Sequence, residues 1–151
     1  MKITLSNNKA MLVDRNDWRI YGGLRWYGGK YAYTQIDGKT VYLHRLILNT
    51  PAGLEVDHIN GDSLDNRRKN LRVVTRSQNE MNKAKPAHNT SGYKGVSIYR
   101  ATGKFSAYIE INQKKIHIGY FKTREEAAHV YNQFASQLFG EYAKINEIGP
   151  A

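Results

Sequence analysis

The sequence predicts an α+β protein built as two small units. The first is β-rich and leads into a strand–turn–strand–helix segment; the second is a three-stranded antiparallel sheet packed on one helix. Three observations predict this. Apolar and polar residues alternate over short stretches, most plainly across 104–118. Two capping patterns, Thr75 with Gln78 and Thr123 with Glu126, open helices by satisfying free backbone N–H groups. Between the units, residues 84–91 lack any period and carry Pro86, which marks a linker.

Residues 1–43 read as strands joined by tight turns. Gly22-Gly23 and Gly28-Gly29 are turn signals, and Asp37-Gly38 suits a type I′ hairpin between YAYTQI and KTVYLHRLI. Trp18 and Trp26 are expected to fill a small core. Residues 44–83 form the next segment. Asn60-Gly61-Asp62 through Asp65-Asn66 is a turn, LRVVT a strand, and a helix runs from about Arg76 to Lys83. Residues 92–147 form the last segment. YKGVSIY is its first strand. In the second, Phe105, Ala107, Ile109 and Ile111 face a core; Ile116 and Ile118 do so in the third. Ala127, Val130, Tyr131, Phe134 and Leu138 then give a helix over about 124–139 one apolar face.

The chain of 151 residues carries a net charge of +10, which suits a polyanionic partner. Residues 1–88 hold +7 of it and residues 89–151 the other +3. Arg67, Arg68, Lys69, Arg72 and Arg76 crowd one stretch, as a solvated face or a phosphate-binding surface. No apolar run is long enough to span a membrane, and the N-terminal stretch lacks the apolar segment of a secretory signal. The absence of cysteine excludes disulfides and thiolate zinc sites. A cytoplasmic protein with no small-molecule substrate is expected; the monomer is favoured, although the sequence leaves the oligomeric state unknown.

The stretch from Val56-Asp57-His58 to Asn79 carries the chemistry. Phosphodiester hydrolysis needs a base for water, a divalent cation and positive side chains that hold the backbone. Asp57 offers a carboxylate, Asn79 an amide oxygen, and His58 a group that titrates near neutrality. Taken alone, Asp57 and His58 read equally as a structural hydrogen-bonded pair. Neighbours on a strand also point to opposite faces, so a shared site requires the strand to bend or end there.

Asp57-His58, Asn70, Asn79 and Asn82, preceded by Leu43-His44-Arg45-Leu46-Ile47 and passing through Asp65-Asn66-Arg67, resemble the motif of HNH endonucleases of the phage and intron homing type. The resemblance implies a ββα-metal unit and a site-specific, metal-dependent DNA endonuclease, expected to nick one strand in a bacterial or phage-infected cell. It makes Asp57 and Asn79 ligands of one Mg²⁺ or Mn²⁺ ion, His58 the general base, and Asn70 the brace that orients His58. Arg45 would touch phosphate or pack, and His44 receives no role. Arg67, Arg68, Arg72 and Arg76 would hold the phosphate backbone.

Tyr93-Lys-Gly-Val96, Gly103-Lys-Phe-Ser-Ala107, Ile118-Gly-Tyr-Phe121 and Ala143-Lys-Ile-Asn146 resemble the APETALA2/ethylene-response-factor domain. That family lays its sheet in the major groove of double-stranded DNA. The resemblance implies DNA contacts at Lys94, Ser97, Tyr99, Arg100, Lys104, Tyr108, Lys115 and His117, with Glu110 on the same face. Two competing readings are a non-catalytic, sequence-specific DNA-binding regulator and an RNA-binding or RNA-cleaving protein.

Overall fold

The computed structural model describes residues 1–149. The chain divides into two compact units, Met1–Asn79 and the part from Glu80 onwards. Among the described residues no helix is long and apolar enough to cross a membrane.

The first unit begins with a hairpin of β1 (Lys2–Thr4) and β2 (Ala10–Leu12). Helix α1 (Arg15–Tyr21) follows where strands were expected. Next come β3 (Tyr27–Gly28), β4 (Ala32–Ile36) and β5 (Lys39–Tyr42), which form an antiparallel sheet in that order. The expected turn joins β4 to β5: Ile36 pairs with Lys39, and both Asp37 (φ 49°) and Gly38 (φ 73°) are left-handed. Beyond Tyr42 the chain becomes the short helix α2 (Leu43–Ile47) instead of continuing as strand. Leu43, His44 and Ile47 turn inward at helical spacing, and this burial outweighs the β-propensity of the preceding residues.

Strands β6 (Glu55–His58) and β7 (Leu71–Val74) pair antiparallel, with Asp57 opposite Arg72 and His58 opposite Leu71. Helix α3 (Arg76–Asn82) follows directly. Its start is closed as expected: Gln78 N donates to Thr75 Oγ1 at 3.3 Å, and Thr75 N donates to Gln78 Oε1 at 2.9 Å. Leu5, Met11, Trp26 and Ala32 share one core with Leu43, Ile47, Val56 and Leu71. The N-terminal strands and the β6–β7 segment are therefore packed as one body.

In the second unit, β8 (Val96–Tyr99), β9 (Lys104–Ile111) and β10 (Lys114–Phe121) form a sheet in the order β10-β9-β8, and helix α4 (Arg124–Phe139) packs on it. The Thr123–Glu126 capping box is present. Two details differ from the sequence reading. The helix packs through Ala127, Ala128, Tyr131, Ala135 and Phe139, whereas Phe134 and Leu138 are exposed. Alanines allow the helix to approach the sheet closely, so the contact stripe lies to one side of the bulkiest residues. A bulge also places Ile118 between the pairs His117↔Tyr108 and Gly119↔Ala107. Ile118 packs inward, Ile116 is exposed, and Tyr120 moves onto the face that carries Ser106 and Tyr108. Residues 84–91 contain no helix or strand, and Asn89 and Ser91 bond to the Tyr93 and Val96 carbonyls.

Candidate active site and nucleic-acid interface

Strand β6 ends at His58, and its last two residues are both buried. They take different partners. The Asp57 carboxylate accepts from Arg72, Nε at 2.8 Å and Nη2 at 2.7 Å, both on Oδ2. The His58 ring stacks on Tyr31 (centroids 5.9 Å apart) and meets the His44 ring edge-on at 5.2 Å. Its Nε2 lies 3.4 Å from Asn66 Oδ1. Burial holds the His58 imidazole below its ordinary value; the Asn66 hydrogen bond and the Asp57 carboxylate oppose that shift. His58 therefore favours the neutral form, which can accept a proton.

Glu55 lies two residues before Asp57 on β6, hence on the same side of the strand. Its Oε2 accepts from Asn79 Nδ2 at 2.6 Å, across to helix α3. This bond fixes the amide orientation of Asn79. The nitrogen is committed to Glu55, so Oδ1 is the atom left to face a cation.

Asn70 braces the loop between β6 and β7. Its Oδ1 accepts from Asn60 N at 3.0 Å, and its Nδ2 donates to Asp65 O at 2.8 Å. Both ends of the amide thus hold backbone, and the side chain that faces His58 is Asn66.

His44 forms the other wall of the imidazole cluster, with Tyr31 at 5.0 Å and Tyr42 at 5.6 Å between centroids. It is buried, and its Nδ1 has no hydrogen-bond partner. Burial, reinforced by repulsion from His58 and Arg45, pushes its pKa down to about 4. Sequence reasoning gave no role to His44 and overlooked Tyr31, Tyr42, Glu55 and Asn66. These residues have no shared spacing; only the tertiary fold assembles them.

Four of the five arginines expected on phosphate have internal partners. Arg45 donates to the carbonyls of Leu54, Thr50 and Pro51. Arg67 forks onto Asp65 at 2.7 and 2.6 Å, holding that carboxylate below its usual range. Arg68 pairs with buried Asp17 of α1, Nη2 to Oδ1 at 2.7 Å, and its own side chain stays 55% exposed. Arg72 belongs to Asp57. Arg76 is exposed at the start of α3.

In the second unit Ser97, Tyr99, Arg100, Lys104, Lys115 and His117 are exposed and Tyr108 is half-buried. By register, Ser97, Tyr99, Lys104, Tyr108, Lys115 and His117 lie on the sheet face away from α4, with Tyr120 among them. The rings are grouped: Tyr99 and Tyr120 are 4.9 Å apart, His117 and Tyr120 4.5 Å, and Lys115 Nζ lies 4.7 Å from the Tyr108 ring. Lys94 differs from the rest. Its Nζ donates to Met81 O at 2.7 Å, and burial, with Lys144 nearby, pushes its pKa down to about 8.

The sequence profile of HNH endonucleases matches residues 41–81, the segment that runs from β5 through α3. An uncharacterised HNH endonuclease of Acanthamoeba polyphaga mimivirus is 34% identical over 143 residues, which cover 90% of this chain and 74% of that protein. The chain belongs to the HNH endonuclease family. Protein 3.8 of Escherichia phage T7 is 29% identical over 95 residues, 63% of this chain and 78% of the phage protein. APETALA2-like protein 2 of Oryza sativa is 36% identical over 61 residues, 40% of this chain and only 14% of the plant protein. No solved structure matches. Family membership makes this chain a nuclease, and the β6–α3 segment lies within the part that the family profile covers.

Proposed function

We propose that this nuclease hydrolyses one strand of double-stranded DNA at a specific site, with His58 as general base and Asp57 and Asn79 as ligands of one Mg²⁺ or Mn²⁺ ion. The arrangement is of the ββα-metal kind, formed by β6, β7 and α3. The observation that carries the reading is the pair at the end of β6. A buried carboxylate is followed directly by a buried imidazole that favours its neutral form, and the amide of Asn79 gives its nitrogen to Glu55, which leaves its oxygen for a cation.

The donor set fits a hard cation. Asp57 and Asn79 supply oxygen only, and such ions take one or two protein oxygens together with water and substrate phosphate. When bound, the cation supplies positive charge that offsets the charge building on the phosphate and the leaving 3′ oxygen. His58 takes the proton of the attacking water as the new O–P bond forms and the P–O3′ bond breaks. Arg72 holds the Asp57 carboxylate in place.

We infer that residues 92–147 target the enzyme. Their open sheet face joins lysines, hydroxyls and a ring cluster, the groups that β-ribbon readers set against base edges and phosphates. Arg68 and Arg76 would add backbone contacts from the first unit. The viral and phage relatives support a role in an infected cell.

A supercoiled plasmid tests the proposal. Open circles should accumulate with Mg²⁺ or Mn²⁺, stop with EDTA, and be lost in Asp57→Ala. Duplex binding without cutting in either metal would leave a DNA-binding protein and defeat the assignment.

A further inference from the structure

Resting on the reading of His58 as general base, we propose that Asn66 is its positioning residue and holds the imidazole with its proton on Nε2. Asn66 has no exposed surface. Its Oδ1 lies 3.4 Å from His58 Nε2, and its Nδ2 donates to Leu64 O at 3.2 Å. The second bond settles the first. A carbonyl oxygen can only accept, so the amide nitrogen must face Leu64 and the amide oxygen must face His58. An amide oxygen also can only accept. The ring nitrogen opposite it therefore carries the hydrogen, and the lone pair of a neutral His58 resides on Nδ1.

The backbone of Asn66 is fixed as firmly as its side chain. Its N–H donates to Leu12 O at 2.7 Å, Leu12 N donates to Leu64 O at 2.9 Å, and Leu12 and Asp65 form a parallel bridge. Strand β2, remote in sequence from the catalytic segment, thus locates the residue that orients the base. Asn70 cannot share the task through its side chain, because both ends of its amide hold loop backbone. Tyr31 and His44 confine the ring from other sides through packing, which fixes its plane but not its tautomer. In the reaction the proton of the attacking water passes to Nδ1, the Nε2 proton stays opposite Asn66, and the Nε2–H···Oδ1 bond strengthens as the ring gains charge.

The test reads the tautomer directly. Long-range proton–nitrogen correlation spectra of the ¹⁵N-labelled full chain, recorded at neutral pH, distinguish Nε2–H from Nδ1–H; the His58 signals are those lost in His58→Gln. The wild type should show the Nε2–H pattern. Asn66→Ala should mix the two tautomers and lower kcat about ten- to a hundredfold with little change in KM. Asn66→Asp, which keeps the acceptor, should retain Nε2–H. An Nδ1–H pattern in the wild type, or an unchanged pattern in Asn66→Ala, would overturn the proposal. If Asn66→Ala fails to fold, Asn66→Leu, which keeps the volume but not the acceptor, takes its place and is read against the same two outcomes. The spectra need no cleavage, so a wild type without nuclease activity would sink the catalytic reading while the tautomer result still stood.

Discussion

Acidification should remove stability from the first unit through His44. The imidazole keeps only 6% of its surface, and its pKa falls from 6.5 to about 4 on folding. Between those values the unfolded chain binds a proton that the folded chain excludes. The stabilisation is present above pH 6.5, declines as the pH falls, and is gone below about 4. With those two values the loss attributable to His44 is roughly 2 kcal/mol on going from neutral pH to about pH 5, and roughly 3 kcal/mol below pH 4. Both tryptophans, Trp18 and Trp26, lie in this unit, so urea unfolding followed by tryptophan fluorescence reports on it specifically. His58 shifts in the same direction, so the informative quantity is the comparison with His44→Phe, which keeps a ring against Tyr31 and Tyr42 but cannot be protonated. The variant should lose about 2 kcal/mol less than the wild type between neutral pH and pH 5. Parallel losses in the two proteins would show that His44 is not buried in its neutral form.

Three further outcomes follow from the fold and the charge. Gly95 has φ +74°, and a Cβ there would lie 2.1 Å from Tyr131 Cδ2 and 2.7 Å from Tyr108 O; Gly95→Ala should destabilise the second unit by more than ~2 kcal/mol, whereas Gly103→Ala, equally left-handed but in open space, should cost about 1 kcal/mol. Thermal unfolding followed by circular dichroism compares them. In the same assay Thr123→Ala, which removes the capping box of α4, should cost about 1 kcal/mol. Duplex affinity should fall steeply with salt, with a log–log slope near −5 for ~6 neutralised phosphates; a flat response would contradict a binding surface built from lysine and arginine.

The second unit was the more legible in sequence because its signals are local. Alternation, two turns and a capping box set β8, β9, β10 and α4 in register, and the limits of α4 match the expected ones. Its misreadings involve contacts no local pattern encodes. The bulge at Ile118 reverses the facing of Tyr120, Ile116 is exposed although it pairs with buried Ile109, and the alanine-lined approach of α4 leaves Phe134 and Leu138 exposed. In the first unit α1 and α2 went unread because a single turn or two of helix yields to tertiary burial. At the candidate site, Asp57, His58, Asn70 and Asn79 stood out in the sequence through their types, their spacing and the family resemblance. Glu55, Asn66, Tyr31 and His44 were not, since each acts through a partner on another element. In the arginine-rich stretch the partners of Arg68 and Arg72 were hidden for the same reason: Asp17 and Asp57 lie 51 and 15 residues away in sequence.

Single-turnover cleavage of a labelled duplex by His58→Ala, measured beside its affinity for the same duplex, tests the central claim most directly. The rate should fall at least ~10²-fold with affinity unchanged. A variant that still cuts at the wild-type rate, or one that loses binding and cutting equally, would contradict His58 as the base.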